Sequence, residues 1–315
     1  MNKKRLWLVI FASLVLLTIT SCRYVTIEGT EQLTYEEFRE SQLSFDSSDG
    51  AMRYVDQGEG DQVILLLHGI PTSSWLYRKM VPELVAEGYR VIAPDMLGFG
   101  GSDNPEGYEI YEPDQHAKRI LELMDHLEIP KWTHVMHDAG GLWTWSLAEQ
   151  APERLENLVI LNTIIFKDGF NPPVRMEPGR TARFAMRLYE RPTTSKTLLN
   201  QLFLGGLKND AISETSFEAF RTPLLEGKTR GMYQFFTSTC NELKDFTETL
   251  KKVDAPTAVV WGSDDEILQW SPQSELVQSL LNIKDEHIHV LDAGHFLQEE
   301  APELVNKHIL ALLKS

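Results

Sequence analysis

The sequence predicts an α/β protein: a doubly wound, mostly parallel sheet with a helical segment inserted late in the chain. Three observations carry this. Short, continuous apolar runs alternate with helix-period patterns, the pattern of strands buried on both faces and the helices that cover them. The alternation stops between about residues 163 and 250 and then resumes. Residues with acid, base or nucleophile chemistry follow directly on several of the apolar runs, at strand carboxyl ends, where open α/β sheets bind ligands.

The N-terminus reads as an export signal. Lys3-Lys4-Arg5 precedes an apolar run from Leu6 to Ile19, a charged region and a short hydrophobic region. The run is shorter than the ~20 residues a membrane span needs. Ile19-Thr20-Ser21-Cys22 follows and resembles the lipobox of bacterial lipoproteins. That resemblance implies that residues 1–21 are removed and that Cys22 becomes the acylated first residue. The expected location is therefore exported and lipid-anchored to a bacterial membrane. Residues 22–40 are polar and mixed, a tether and lead-in, with a short helix over Tyr35 to Arg39.

The core is expected over 41–162 and 251–315. Strands are expected over Val63 to Leu67, Tyr89 to Ala93, Thr133 to His137, Leu158 to Leu161, Ala258 to Trp261 and Ile288 to Leu291. Helices are expected over Ser74 to Glu87, Pro113 to Leu127, Leu142 to Gln150, Pro272 to Leu281 and Pro302 to Leu313. Pro113, Pro272 and Pro302 suit first-turn positions, where a missing N–H costs nothing. The segment 163–250 holds helical patches around Thr181–Glu190, Thr194–Leu204 and Ser213–Leu225. It is expected as a helical cap over the site, without a buried strand.

Charge and cysteine content narrow the function classes. The 315 residues carry a formal charge of −16, and the leader contributes only bases. Phosphate binding needs a basic face, so a nucleic-acid partner is excluded, and direct electrostatic adhesion to anionic lipid is disfavoured. Cys240 is the only cysteine besides Cys22. It is expected as a buried structural thiol.

The chemistry concentrates in four segments. In His137-Asp138-Ala139-Gly140-Gly141, a tight strand-to-helix turn lifts Asp138 into the pocket, as in the nucleophile elbow of serine hydrolases. Asp264-Asp265 and His295 each follow a later strand, giving the chain order nucleophile, acid, histidine. In His68-Gly69-Ile70-Pro71 the turn frees the Ile70 N–H, which with the Ala139 N–H makes an oxyanion hole. His68 is expected to support its loop, and His137 to point away from Asp138.

These segments resemble the epoxide hydrolase and haloalkane dehalogenase branch of the α/β-hydrolase superfamily. The likeness rests on His68-Gly69-Ile70-Pro71, on Asp95-Met96-Leu97-Gly98-Phe99-Gly100-Gly101-Ser102-Asp103, and on His137-Asp138-Ala139-Gly140-Gly141. Leu161-Asn162-Thr163 and Gly294-His295-Phe296-Leu297-Gln298-Glu299 add to it, and it spans about residues 36–314. It implies an α/β-hydrolase fold with a cap, Asp265 as the acid, and no metal or organic cofactor. It also implies a covalent alkyl-enzyme ester on Asp138, cleaved by water that His295 activates. The expected partners are a small apolar electrophile and water.

The leaving group separates the two families. Dehalogenases hold the halide with side-chain N–H donors, whereas Ala139 and Ile70 occupy the matching positions and the cap has no Trp. Epoxide hydrolases protonate the opening oxygen with two cap tyrosines. Tyr189 lies 51 residues after Asp138 and Tyr233 lies 32 before Asp265, placements that resemble that pair. The expected activity is epoxide hydrolysis. Alternatives are a haloalkane dehalogenase, another ester hydrolase and a non-catalytic binding module.

Overall fold

The computed structural model describes residues 24–315; the leader and Cys22 lie outside the described residues. The chain opens with strand β1 (Thr26–Ile27) and helix α1 (Tyr35–Ser41). Helix α1 starts at a capping box: Thr34 Oγ1 accepts the Glu37 N–H (3.2 Å) and the Glu37 carboxylate accepts the Thr34 N–H (2.9 Å), so two donors at the helix start are satisfied reciprocally. A hairpin follows, β2 (Leu43–Ser47) and β3 (Gly50–Gln57), then β4 (Val63–Leu67). The next stretch, expected as one helix, is two pieces. A 3₁₀ turn over Ser74–Tyr77 is capped by Ser73, and a separate helix α2 (Val81–Ala86) has proline in its first turn.

The alternation then runs through β5 (Arg90–Pro94), α3 (Pro113–His126), β6 (Trp132–Asp138), α4 (Gly140–Gln150) and β7 (Leu155–Thr163). The insertion holds α5 (Arg180–Tyr189), α6 (Pro192–Leu204), a two-residue strand β8 (Ala211–Ile212), α7 (Glu214–Leu225) and α8 (Arg230–Gln234). A π-helical turn, Phe235–Thr239, continues α8. After α9 (Thr247–Leu250), the core resumes with β9 (Thr257–Gly262), α10 (Ser274–Leu280), β10 (Ile288–Leu291), α11 (Leu297–Glu300) and α12 (Pro302–Leu313).

Eight strands form one sheet in the order β10-β9-β7-β6-β4-β5-β3-β2. It is parallel except at β3, antiparallel to β5, and β2, antiparallel to β3. Chain order reverses direction at β4, which has β5 on one side and β6 on the other. This is the topological switch point, where helices leave on opposite faces and a crevice opens at the strand ends. Ile64 to Leu67 of β4 are fully buried, as are Val135 and Met136 of β6, each such side chain contributing about 1.5–3 kcal/mol.

The stretch expected as a tether is built into the structure from Val25 onward, and the insertion does contain a strand. β1 pairs in parallel with β8. The Val25 N–H donates to Asn200 Oδ1 (3.0 Å) and Asn200 Nδ2 donates back to the Val25 carbonyl (3.2 Å). The segment before α1 is thus a strap across the insertion. It ends at Glu31, whose carboxylate meets the Arg78 guanidinium at 2.6 Å. Arg78 also binds Glu299 (2.5 Å) and Ser216 (2.5 Å), so one side chain joins strap, cap and core.

Candidate active site

The site forms where β4 and β6 end side by side. They run in register from Ile64 opposite Thr133 to Leu67 opposite Met136, which carries Gly69 level with Asp138. A Cβ on Gly69 would lie 2.3 Å from Asp138 Oδ1, so the closeness of loop and carboxylate depends on glycine. Asp138 has φ of 52°, a left-handed conformation that costs a non-glycine residue energy and is found where function requires it. Thr163 Oγ1 donates to the Asp138 carbonyl (2.7 Å) and holds the turn. Asp138 Oδ1 accepts the Ile70 N–H (2.7 Å), and the Ala139 N–H also favours the charged carboxylate. Asp138 Oδ2 lies 3.7 Å from His295 Nε2.

His295 follows β10 and Asp265 follows β9. His295 Nδ1 lies 2.8 Å from Asp265 Oδ2, a contact that makes Nδ1 the protonated nitrogen and leaves Nε2 toward Asp138. Asp265 is fixed in turn. Its Oδ1 accepts the Ile267 and Leu268 N–H groups, both at 2.9 Å, and its Oδ2 accepts Asn162 Nδ2 (2.7 Å). Asp264, by contrast, is exposed and pairs with Lys208 (3.2 Å). Asn162 Oδ1 also accepts the Gly262 N–H (2.7 Å), so one buried amide ties the ends of β7 and β9 together. This bridging residue was missed as a site residue, although Leu161-Asn162-Thr163 belonged to the family likeness and a polar side chain near the end of a buried strand marks it.

Burial raises the Asp138 carboxyl above its ordinary value, opposed by the His295 charge and the two backbone N–H groups. Burial pushes His295 down, but the charge and hydrogen bond of Asp265, with Asp138, outweigh it and the net shift is upward. The imidazole Nε2 thus faces the carboxylate at 3.7 Å, within reach of a proton on a group bound to Asp138.

Three further buried histidines, His68, His137 and His116, have structural partners. His68 Nδ1 donates to the Gly69 carbonyl (2.7 Å) and Nε2 accepts the Met96 N–H (3.0 Å); burial lowers its pKa, and it holds its loop. His137 Nε2 donates to the His295 carbonyl (2.9 Å), so this neighbour of Asp138 braces the base from below. His116 is buried against Trp143, ring centres 4.4 Å apart. Cys240 is buried, which pushes its thiol up to about 12.

The two cap tyrosines differ. Tyr189 ends α5 half-buried, and its hydroxyl makes no hydrogen bond among the described residues; burial raises it to about 12. Tyr233 is buried, stacked on Tyr108 at 4.1 Å, and its hydroxyl accepts the Gly179 N–H (3.0 Å). Neither hydroxyl hydrogen-bonds Asp138.

Known proteins share this frame. The chain is 28% identical to haloalkane dehalogenase 2 of Mycobacterium tuberculosis over 285 residues, 84% of this chain and 92% of that protein. It is 28% identical to a haloalkane dehalogenase of Psychrobacter cryohalolentis over 85% of this chain and 89% of the relative. A solved epoxide hydrolase of Vigna radiata superposes with a TM-score of 0.66 at 22% identity, covering 87% of this chain and 97% of its own. A family model for the alpha/beta hydrolase fold matches residues 62–302. That span runs from the start of β4 to the start of α12 and takes in Ile70, Asp138, Asp265 and His295, so the chain belongs to the alpha/beta hydrolase fold family and is a hydrolase.

Proposed function

We propose that the enzyme hydrolyses epoxides through a covalent alkyl ester on Asp138. The observation that carries this reading is the Asp138 carboxylate itself. One oxygen accepts the Ile70 N–H at 2.7 Å, and the other lies 3.7 Å from the His295 imidazole. A carboxylate at the elbow, its charged form favoured by His295 and the Ile70 and Ala139 N–H groups, attacks an sp³ carbon without a base. The carbon–oxygen bond of the epoxide breaks as the ester bond forms. The alkoxide takes a proton from a cap tyrosine, and Tyr189, whose hydroxyl is unengaged, is the leading donor. Tyr233 keeps its own proton while accepting from Gly179.

In the second step His295 Nε2 takes a proton from water. The hydroxide attacks the Asp138 ester carbonyl, and the Ile70 and Ala139 N–H groups stabilise the oxyanion, an arrangement in which each donor contributes about 2.7–4 kcal/mol. The ester breaks as its alkoxide takes the proton from the imidazolium, the diol leaves carrying the original carboxylate oxygen, and the water oxygen stays on Asp138, whose carboxyl proton returns to the tyrosinate. Asp265 stabilises the imidazolium throughout. The enzyme acts outside the cytoplasm, anchored through acyl groups on Cys22.

A haloalkane substrate is the second reading, favoured by the two dehalogenase relatives that match over more than four-fifths of the chain. One experiment tests both. His295→Gln should trap the ester, visible by mass spectrometry as an adduct on Asp138 with epoxides. A single turnover of the native enzyme in heavy-oxygen water should label Asp138. An adduct with haloalkanes and halide release would replace the epoxide assignment; no adduct with either class would remove Asp138 as the nucleophile.

A further inference from the structure

The outer face of α5 carries a feature that the hydrolase reaction does not use. Arg180, Arg183, Phe184 and Arg187 are all exposed, and their spacing places them on one stripe of the helix. Arg191, exposed at the N-cap of α6, extends it. The opposite face holds Ala182 and Met186, both buried, and Tyr189. Phe184 is 45% exposed, among the larger apolar exposures of the described residues. None of the four guanidinium groups has an ion-pair or hydrogen-bond partner among the described residues. Several cations elsewhere are paired, as in Lys314 with Glu87, Lys244 with Glu149 and Arg39 with Glu226, and unpaired exposed ones such as Lys131 and Lys252 are not part of this stripe. The nearby acids in sequence are Glu177 and Glu190, and Glu190 already accepts the Thr229 hydroxyl.

The formal charge of −16 argues against adhesion to anionic lipid only if charge is evenly spread. It is not, and acids beyond about 8 Å of the stripe are largely screened at physiological salt. We propose that this stripe is a docking surface for an anionic bilayer, with the arginines at headgroup phosphates and Phe184 below them. Guanidinium groups pair bidentately with phosphate, and a basic helix face with an exposed aromatic is the chemistry of interfacial helices. Among the described residues no helix is long and apolar enough to cross a membrane, so contact would be peripheral.

A second observation agrees. The strap fixes Val25 to Asn200 on α6, one turn from the exposed Lys196, and the adjacent Tyr24 is exposed. Cys22 is three residues upstream of Val25, at most ~11 Å of extended chain. An anchor at Cys22 would therefore enter the bilayer beside the cap, although the stripe does not need it.

The test uses the full chain carrying Cys22→Ser, so that no acyl group contributes. Its sedimentation is measured with vesicles of phosphatidylcholine alone and with mixed phosphatidylcholine–phosphatidylglycerol vesicles. The leader, whose three bases also favour anionic lipid, is common to every variant, so the change in preference between variants isolates the stripe. A preference for the anionic vesicles that weakens with salt is expected. Arg183→Gln with Arg187→Gln should reduce it about 25-fold, roughly fivefold per arginine. Lys131→Gln with Lys252→Gln should leave it unchanged. Phe184→Trp should add blue-shifted emission on anionic vesicles only. Equal binding to both vesicles, a preference undiminished without the arginines, or one reduced equally in the lysine control would each overturn the proposal. So would a self-associated species, seen without vesicles and lost with the arginines, because the stripe would then meet a second copy.

Discussion

Gly69 shows how narrowly the site is set at the scale of one residue. A methyl group there would sit 2.3 Å from Asp138 Oδ1 and would push the carboxylate away from the Ile70 N–H. Gly69→Ala should lower turnover about 10²–10³-fold, the loss typical of one oxyanion donor, with the far-ultraviolet circular dichroism spectrum unchanged. Asp265 can be tested by pH. Its charge helps hold His295 above the ordinary imidazole value, so Asp265→Asn should lower that value. Ester hydrolysis needs neutral His295, and the acid limb of its rate profile should therefore move to lower pH while the maximum falls. Pre-steady-state rates across pH would show it; an unmoved limb would detach Asp265 from the base. Asp138, the pair Asp264-Asp265 and His295 stood out in the sequence because each follows an apolar strand run, and the choice of Asp265 came from the family likeness. The contact at Gly69 and the bridge at Asn162 were not, since both depend on two strand ends meeting.

At the scale of elements, the strap and its Arg78 knot join parts of the chain that the sequence presents separately. The Arg78 side chain is 3% exposed and the Glu299 side chain 6%. Removing one member of such a buried pair leaves a charge without compensation and costs about 3–5 kcal/mol. Arg78→Met should lower the urea midpoint accordingly, with little change in the denaturant slope. Elements with strong patterns were read closely: Val63–Leu67, Ile288–Leu291 and Pro302–Leu313 match their expected ranges. The hairpin β2–β3 was missed, because edge strands carry mixed polar and apolar residues instead of an unbroken run. The two-residue strands β1 and β8 are too short to leave a periodic signal. The helix expected over Ser74 to Glu87 divides where Pro82 starts a new first turn.

At the scale of the molecule, acid stability should report the same knot. Burial opposes the Glu31 charge, but Arg78 outweighs it and lowers the carboxyl from 4.5 to about 2. A depressed acid contributes stability above its unfolded value and loses it as pH falls through its folded value. The melting temperature of the native protein should thus fall between pH 4.5 and about 2 more steeply than that of Glu31→Gln. Parallel curves would mean the pair is energetically silent. The overall architecture was legible because alternating apolar runs and helical patterns leave few topologies. The distribution of charge was not, because a total says nothing about which side chains find partners.

The strap also bears on where this protein should be cut. The recognisable family match starts at residue 62, and even the broader motif likeness starts near residue 36. An expression boundary placed at either point would delete Val25, β1 and Glu31. It would leave Asn200 and Arg78 without partners and the cap without one edge. The unit that folds is therefore longer than the unit that is recognised, and a soluble version should begin no later than Tyr24.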